Sequence, residues 1–398
     1  MNKNITFPHG QLYRGELRND VRHGKGSCEY PDGSIYKGQW KNDQWHGQGT
    51  LIISANEQYA GSWQNGKRNG TGEYHYPDGS HYKGNWQNNH KHGTGILVFA
   101  DSGKYEGEFR NDLRHGRGRY RYPDGSKYSG QWRLDNRHGQ GTLHYANHDT
   151  YSGEWKNGFR EGNGTYTTAQ GSVYQGNWHN DSMDGKGTYR SADNEQYTGQ
   201  WKDNLKHGQG VFTFSSGNTY TGQWVNGTME GHGTLTLTDG TTYKGQWKNG
   251  CMHGKGCLSF PDKTHYEGEW IEDMKHGQGS HTYADGSKYS GHWEHNERNG
   301  SGTCTYPDGS RYEGMWKNDK RHGPGIHIES DGTTYQGRWY NDQRHGTGQL
   351  KFSNGQVKQG VWHHDKYLKN TPKEPPSDLS AFGLEEDDDF GLSPEFSK

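Results

Sequence analysis

Residues 59–81 read YAGSWQNGKRNGTGEYHYPDGSH, and the alternation inside those residues decides the fold. Tyr59, Gly61 and Trp63 stand two apart. Alternation with period two marks a strand that packs one face, so the two large rings and the glycine point to one side. Asn65-Gly66 follows, a pair suited to a tight hairpin turn whose central residues need positive φ. Gly70, Gly72, Tyr74 and Tyr76 then alternate in their turn, and Pro77-Asp78-Gly79 adds a second turn signal. The stretch therefore predicts a β-hairpin built from a tyrosine strand and a glycine strand.

Working outward, the same hairpin recurs along the chain. A tyrosine followed by Gly at +2, and in all but the first copy by an aromatic residue at +4, stands at Tyr13, Tyr36, Tyr59, Tyr82 and Tyr105. It continues at Tyr128, Tyr151, Tyr174, Tyr197, Tyr220, Tyr243, Tyr266, Tyr289, Tyr312 and Tyr335, always 23 residues apart. One further step reaches Lys358, where Gly360 and Trp362 keep the register without the tyrosine. Upstream, Phe7-Pro8-His9-Gly10 holds the place that Tyr30-Pro31-Asp32-Gly33 holds in the first full unit. Counting the tyrosine as zero, glycine fills +2 in all sixteen units and +11 and +13 in all fifteen full ones. Slot +4 is Trp in fourteen units, with Leu17 and Phe109 as the exceptions. Alternation predicts that +11, +13, +15 and +17 share the packed face.

Glycine weakens a strand and needs a reason to be there. Room is the simplest: a Tyr or Trp ring can lie flat over a neighbouring glycine. A buried ring removes roughly 150–250 Å² from water. That is worth on the order of 4–6 kcal/mol as an upper bound, enough for rings over glycines to replace an aliphatic core. One hairpin could not stand alone, but stacked neighbours support one another.

The pattern YxGxWxxxxxHGxGxxxYPDGxx resembles the MORN repeat, the membrane occupation and recognition nexus motif, over roughly residues 7 to 367. The resemblance implies one hairpin per repeat. The expected fold is all-β: an elongated, twisted single antiparallel sheet of about fifteen such hairpins and about thirty strands. At about 4.8 Å per strand it would form a rod roughly 145 Å long. Three segments follow: a partial repeat over 1–12, the repeat rod over 13–371 with a degenerate last unit, and an acidic tail over 372–398. Members of the family are mostly scaffolds of cilia, cytoskeletons and membrane junctions, and some dimerise through end repeats. Plant phosphatidylinositol phosphate kinases add a kinase and junctophilins add a membrane helix. This sequence offers neither, so it is similar to stand-alone radial-spoke-head or cytoskeletal members. It departs from the family pattern at Asn69, Glu161, Asp184, Glu230 and Asn299 in the histidine slot, and at Lys358.

Composition narrows the function. Hydrophobic residues make up 26% of the chain and the net charge is −2, so no global field draws it to nucleic acid. No apolar run approaches a membrane span, and MNKNITFPHG has no apolar core of a secretory signal. Cys28, Cys251, Cys257 and Cys304 form no CxxC pair and read as strand residues in a cytoplasmic protein. Slot +10 is His in ten units, including His23, His46, His92, His115 and His138. Successive copies should lie about 9–10 Å apart, too far to share an ion, so a turn-side hydrogen-bonding role is expected. Gly24-Lys25-Gly26 and Gly254-Lys255-Gly256 lack the GxxxxGK[ST] spacing of a phosphate loop. No catalytic set stands out from the repeat, so no enzyme, cofactor or metal is expected.

The expected function is a structural docking rod for other proteins, in a ciliary axoneme or the cortical cytoskeleton. The alternative is a membrane-tethering adaptor for anionic phospholipid, which would use the thinly spread Lys37, Lys83, Lys127, Lys244 and Lys288. A single sheet has no second layer, so part of its aromatic face is expected to receive a partner. The residues expected there are Tyr266, Trp270, Tyr289, Trp293, Tyr312, Trp316, Tyr335, Trp339 and Trp362. Terminal repeats leave unpaired strand edges that invite a homodimer or partner strands. The acidic tail reads either as a solubilising segment or as a linear motif, for which Phe382, Leu384, Phe390, Leu392 and Phe396 would be the apolar anchors among acids.

Overall fold

The structure is a computed structural model that describes residues 3–368. It contains thirty-three strands, from Lys3–Phe7 to Lys366–Tyr367. The only helical turn among the described residues is Pro8–Gly10, and no helix there is long and apolar enough to cross a membrane. The chain falls into two compact units, one up to Thr228 and one from Met229. Each unit is all-β, with strands that pair antiparallel to their sequence neighbours. The hairpin predicted for each repeat is therefore present within both units.

One repeat of the first unit shows why. Its tyrosine strand is Ile35–Lys41 and its glycine strand is Gln44–Ser54. Asn42 and Asp43 join them with φ of 50° and 64°. Both central residues of this hairpin turn need positive φ, which Asn and Asp tolerate. The backbone N–H of Asp43 donates to the Arg22 carbonyl at 3.1 Å, and its carboxylate accepts the Arg22 N–H at 2.8 Å. Each turn is thus tied to the preceding hairpin. The loop to the next repeat closes differently. The backbone N–H of Ser34 donates to Asp32 Oδ1 at 2.9 Å and the Ser34 hydroxyl donates to it at 2.7 Å.

Register places the glycines in a line. Gly26 pairs with Gly38, Gly38 with Gly49, and Gly49 with Gly61. In the second unit the line runs from Gly302 through Gly314, Gly325, Gly337 and Gly348 to Gly360. A Cβ on Gly38 would stand 2.5 Å from the Gly49 Cα, so the strands could not approach this closely with side chains there. The Tyr36 ring lies over the pair, and a Cβ on Gly49 would meet its Cζ at 2.5 Å. The Tyr36 hydroxyl reaches past both glycines to donate to the Gln39 carbonyl at 2.9 Å.

One expectation of facing fails. Within the hairpin Gln39 pairs with His46, so Gly47 and Gln48 bulge out of the ladder. Gly47 takes φ of 62°, which breaks the alternation at +11. Its missing side chain would point at Gln39, on the polar face, whereas that of Gly49 would point at the buried Tyr36 ring. The bulge leaves the Gln48 N–H without a ladder partner, and the Gln39 Oε1 accepts it at 2.9 Å. Glu108 does the same for Arg117, and Gln246 for Lys255.

Candidate interaction surface

The tyrosine and tryptophan of each repeat form the core. Tyr36 is 0% and Trp40 3% exposed, and their rings meet edge to face at 5.0 Å. The Trp40 indole donates to the Gly26 carbonyl at 3.2 Å, so its polar tip is paired as well. Burial pushes the Tyr59 phenol up to about 12, against the opposing pull of Arg68.

The nine rings expected to form a partner-binding face belong to this core. Tyr266, Trp270, Tyr289, Trp293, Tyr312, Trp316, Tyr335, Trp339 and Trp362 are all at most 4% exposed. The reason is a layer above them that the sequence reading did not identify. Slot +9 holds a long side chain in every full repeat, and where it is Arg or Lys it lies over the aromatic residue at +4 of the following repeat. Arg298 lies 4.2 Å from the Trp316 ring centre, Arg321 4.2 Å from Trp339, and Arg344 4.6 Å from Trp362. In the first unit Arg22 covers Trp40 at 4.5 Å and Arg114 covers Trp132 at 4.4 Å. Such cation–π contacts contribute roughly 0.5–2 kcal/mol each. Over Trp316, Trp339 and Trp362 an approaching partner meets guanidinium groups, not indoles.

The layer is held in place by the hairpin turns. The Arg321 Nε lies 3.2 Å from Asp342 Oδ1, and its Nη2 donates to the Asp342 carbonyl at 2.9 Å. Arg22 with Asp43, Arg114 with Asp135, Arg160 with Asp181, Arg298 with Asp319 and Arg344 with Asp365 repeat the ion pair. Where the turn carries Gly instead of Asp, the carboxylate partner is gone. Arg137 bonds the Gly158 carbonyl at 2.8 Å, and the residue facing Gly66 is Trp45, stacked on Tyr36 at 5.0 Å. Lysines take the slot at Lys91, Lys206 and Lys275, and burial pushes all three ammonium groups down. The signal was in the sequence: +9 is Arg, Lys, Met or Trp throughout, long enough to span one strand spacing and cover a ring.

The histidine slot is less uniform than expected. Its substitutes make the turn-side hydrogen bonds: Asn249 N–H donates to Glu230 at 2.8 Å and Asn180 N–H to Glu161 at 3.2 Å. The Nδ1 atoms of His23, His46, His92, His115, His138, His207 and His345 are buried and find no hydrogen-bond partner. Burial lowers His345, with His363 and His364 adding to the effect. His281, in slot +15, goes down to about 4 by burial and then by Lys275, whose Nζ is 3.3 Å away.

The opposite face is polar and open. Lys37, Gln39 and Lys41 are exposed between the buried rings, and Lys83, Lys127, Lys244 and Lys288 are exposed too. Apolar side chains also reach solvent at the hairpin turns of the first unit, at Leu113, Leu134, Phe159, Leu205 and Val225. All four cysteines are free, with Cys28 and Cys304 buried at +15. Phe382, Leu384, Phe390, Leu392 and Phe396 lie outside the described residues.

These features define a hairpin-repeat protein whose repeats close their own core. The MORN repeat profile matches fifteen consecutive units over residues 13–54 and 59–357, and the chain belongs to the MORN repeat family. No curated protein matches it. Among solved structures, the TCP domain of SAS-4 from Drosophila melanogaster, in complex with a proline-rich motif of Ana2, is 14% identical. The alignment covers 45% of this chain and 90% of that one, with a TM-score of 0.27. The TCP10 domain of Danio rerio CPAP, with a peptide of STIL, is 14% identical over 63% of this chain and 97% of that one, with a TM-score of 0.23. A virginiamycin B lyase from Staphylococcus aureus reaches 10% identity over 77% and 92% of the two chains, at a TM-score of 0.12. The family match supports a protein-interaction scaffold.

Proposed function

We propose that the chain is a non-enzymatic docking scaffold of a ciliary axoneme or cortical cytoskeleton. The observation that carries this reading is the closure of each repeat on itself. The rings are buried, most of the tyrosine hydroxyls and indole N–H groups bond backbone carbonyls, and a slot +9 side chain such as Arg321 covers the tryptophan from outside. What a repeat offers outward is a set of charged and polar side chains returning every two strands, about 9–10 Å apart. That surface suits partners bound at regular intervals. The partner-binding face of the last repeats is then the cationic layer of Arg298, Arg321 and Arg344, one step outside the rings.

Detergent extraction of the source cells tests the assignment, with the protein followed by mass spectrometry. The scaffold reading expects it in the insoluble cytoskeletal pellet, cross-linked to protein neighbours. Release with the membrane fraction and flotation with anionic liposomes would overturn it in favour of a lipid-binding adaptor, for which Lys37, Lys83, Lys127, Lys244 and Lys288 are the exposed cations.

A further inference from the structure

Three histidines meet at the last hairpin. His345 occupies slot +10 of its repeat, while His363 and His364 open the turn of the following one. The ring centres of His345 and His363 are 5.1 Å apart, those of His345 and His364 5.1 Å, and those of His363 and His364 4.4 Å. One nitrogen from each lies within 4.8 Å of the other two. It is the only such group of three among the described residues. Successive +10 histidines stand two strand spacings apart, too far to share an ion. The register instead brings +10 of one repeat to +5 and +6 of the next, as Glu161 beside His179 at 3.4 Å also shows.

We propose that His345, His363 and His364 bind one zinc-like divalent cation. Imidazole nitrogens suit zinc, nickel, cobalt and copper. A tetrahedral zinc with bonds of about 2.0–2.1 Å needs donors roughly 3.4 Å apart, which small ring rotations supply here. Two further observations point to a ligand. The His345 Nδ1 is buried without a hydrogen-bond partner, as are those of the other +10 histidines named above, but here two more imidazoles stand beside it. The Gln343 Oε1 lies 2.5 Å from His364 Nδ1. An amide oxygen only accepts, so Nδ1 carries the proton and Nε2 keeps its lone pair for a metal. Outer hydrogen bonds of this kind orient metal-binding histidines. His364 is exposed, which leaves the remaining coordination position open to solvent.

The test uses the full chain without an affinity tag, titrated with Co²⁺ and then Zn²⁺. The visible Co²⁺ spectrum reads geometry, and a chromophoric chelator reads affinity. The double variant His363→Gln, His364→Asn gives the turn the residues that Gln87-Asn88 carry in another repeat, so the hairpin keeps its fold. One tight equivalent with a tetrahedral Co²⁺ band is expected in the parent. The double variant should lose it by roughly 100-fold or more, and Gln343→Ala should weaken it about tenfold. His276→Ala, in the same slot of another repeat, should leave the tight equivalent unchanged. Equal binding by parent and double variant, or no tight equivalent in the parent, would overturn the proposal.

Discussion

A left-handed backbone is free of penalty for glycine and costs other residues about 1–2 kcal/mol. Most loops between repeats place Gly at +20, as Gly33 does at φ of 85°. Five repeats do not: Asn56 replaces it in one, and Ser102, His148, Asn194 and Lys263 hold φ between 65° and 74° there. Lys263 is the costliest, because its side chain makes no local bond of the Asn or Ser kind that offsets the strain. The surrounding loop is intact, with the Lys263 N–H donating to the Phe260 carbonyl at 3.1 Å and the Thr264 N–H to Asp262 at 2.9 Å. Lys263→Gly should therefore stabilise this loop by about 1 kcal/mol. Amide exchange at residues 260–265 measures it, and faster exchange in the variant would contradict the strain argument.

At the scale of the hairpin, the decisive addition is the slot +9 layer. Arg321 combines a contact with Trp339 at 4.2 Å with an ion pair to a half-exposed Asp342, of which the pair itself adds little. Packing over the indole should dominate. Arg321→Ala should then cost about 1–2 kcal/mol, whereas Arg321→Met should cost under about 1, since Met183 and Met252 fill the same slot elsewhere. Urea unfolding followed by tryptophan emission distinguishes the two, and equal losses would mean that charge, not cover, matters. The hairpins, their turns and the rings over glycines were legible in the sequence, because period, turn pairs and ring spacing are local signals. The covering layer was not, because Arg321 and Trp339 meet only through the register between repeats. The same register hid the meeting of His345 with His363 and His364. The +11 glycines misled for another reason: a two-residue bulge reverses facing, and strict alternation cannot anticipate it.

At the scale of the molecule, each repeat leans only on its neighbours, so damage should stay local. A Cβ on Gly325 would lie 2.6 Å from the Tyr312 Cζ. Gly325→Ala should cost about 1–3 kcal/mol by overpacking. Hydrogen exchange should rise over Arg311–Ile328 and the adjoining hairpins while amides before Thr228 keep their parent rates. Uniform acceleration along the whole chain would show that the repeats unfold as one. The tyrosine–tryptophan contact has an optical consequence. In almost every repeat a phenol stands about 5 Å from an indole, as Tyr312 does at 5.1 Å from Trp316 and 5.4 Å from Trp339. Excitation absorbed by these phenols passes to the indoles before it can be emitted. The folded chain should glow as tryptophan alone despite its 27 tyrosines, and tyrosine light should emerge repeat by repeat as the hairpins part.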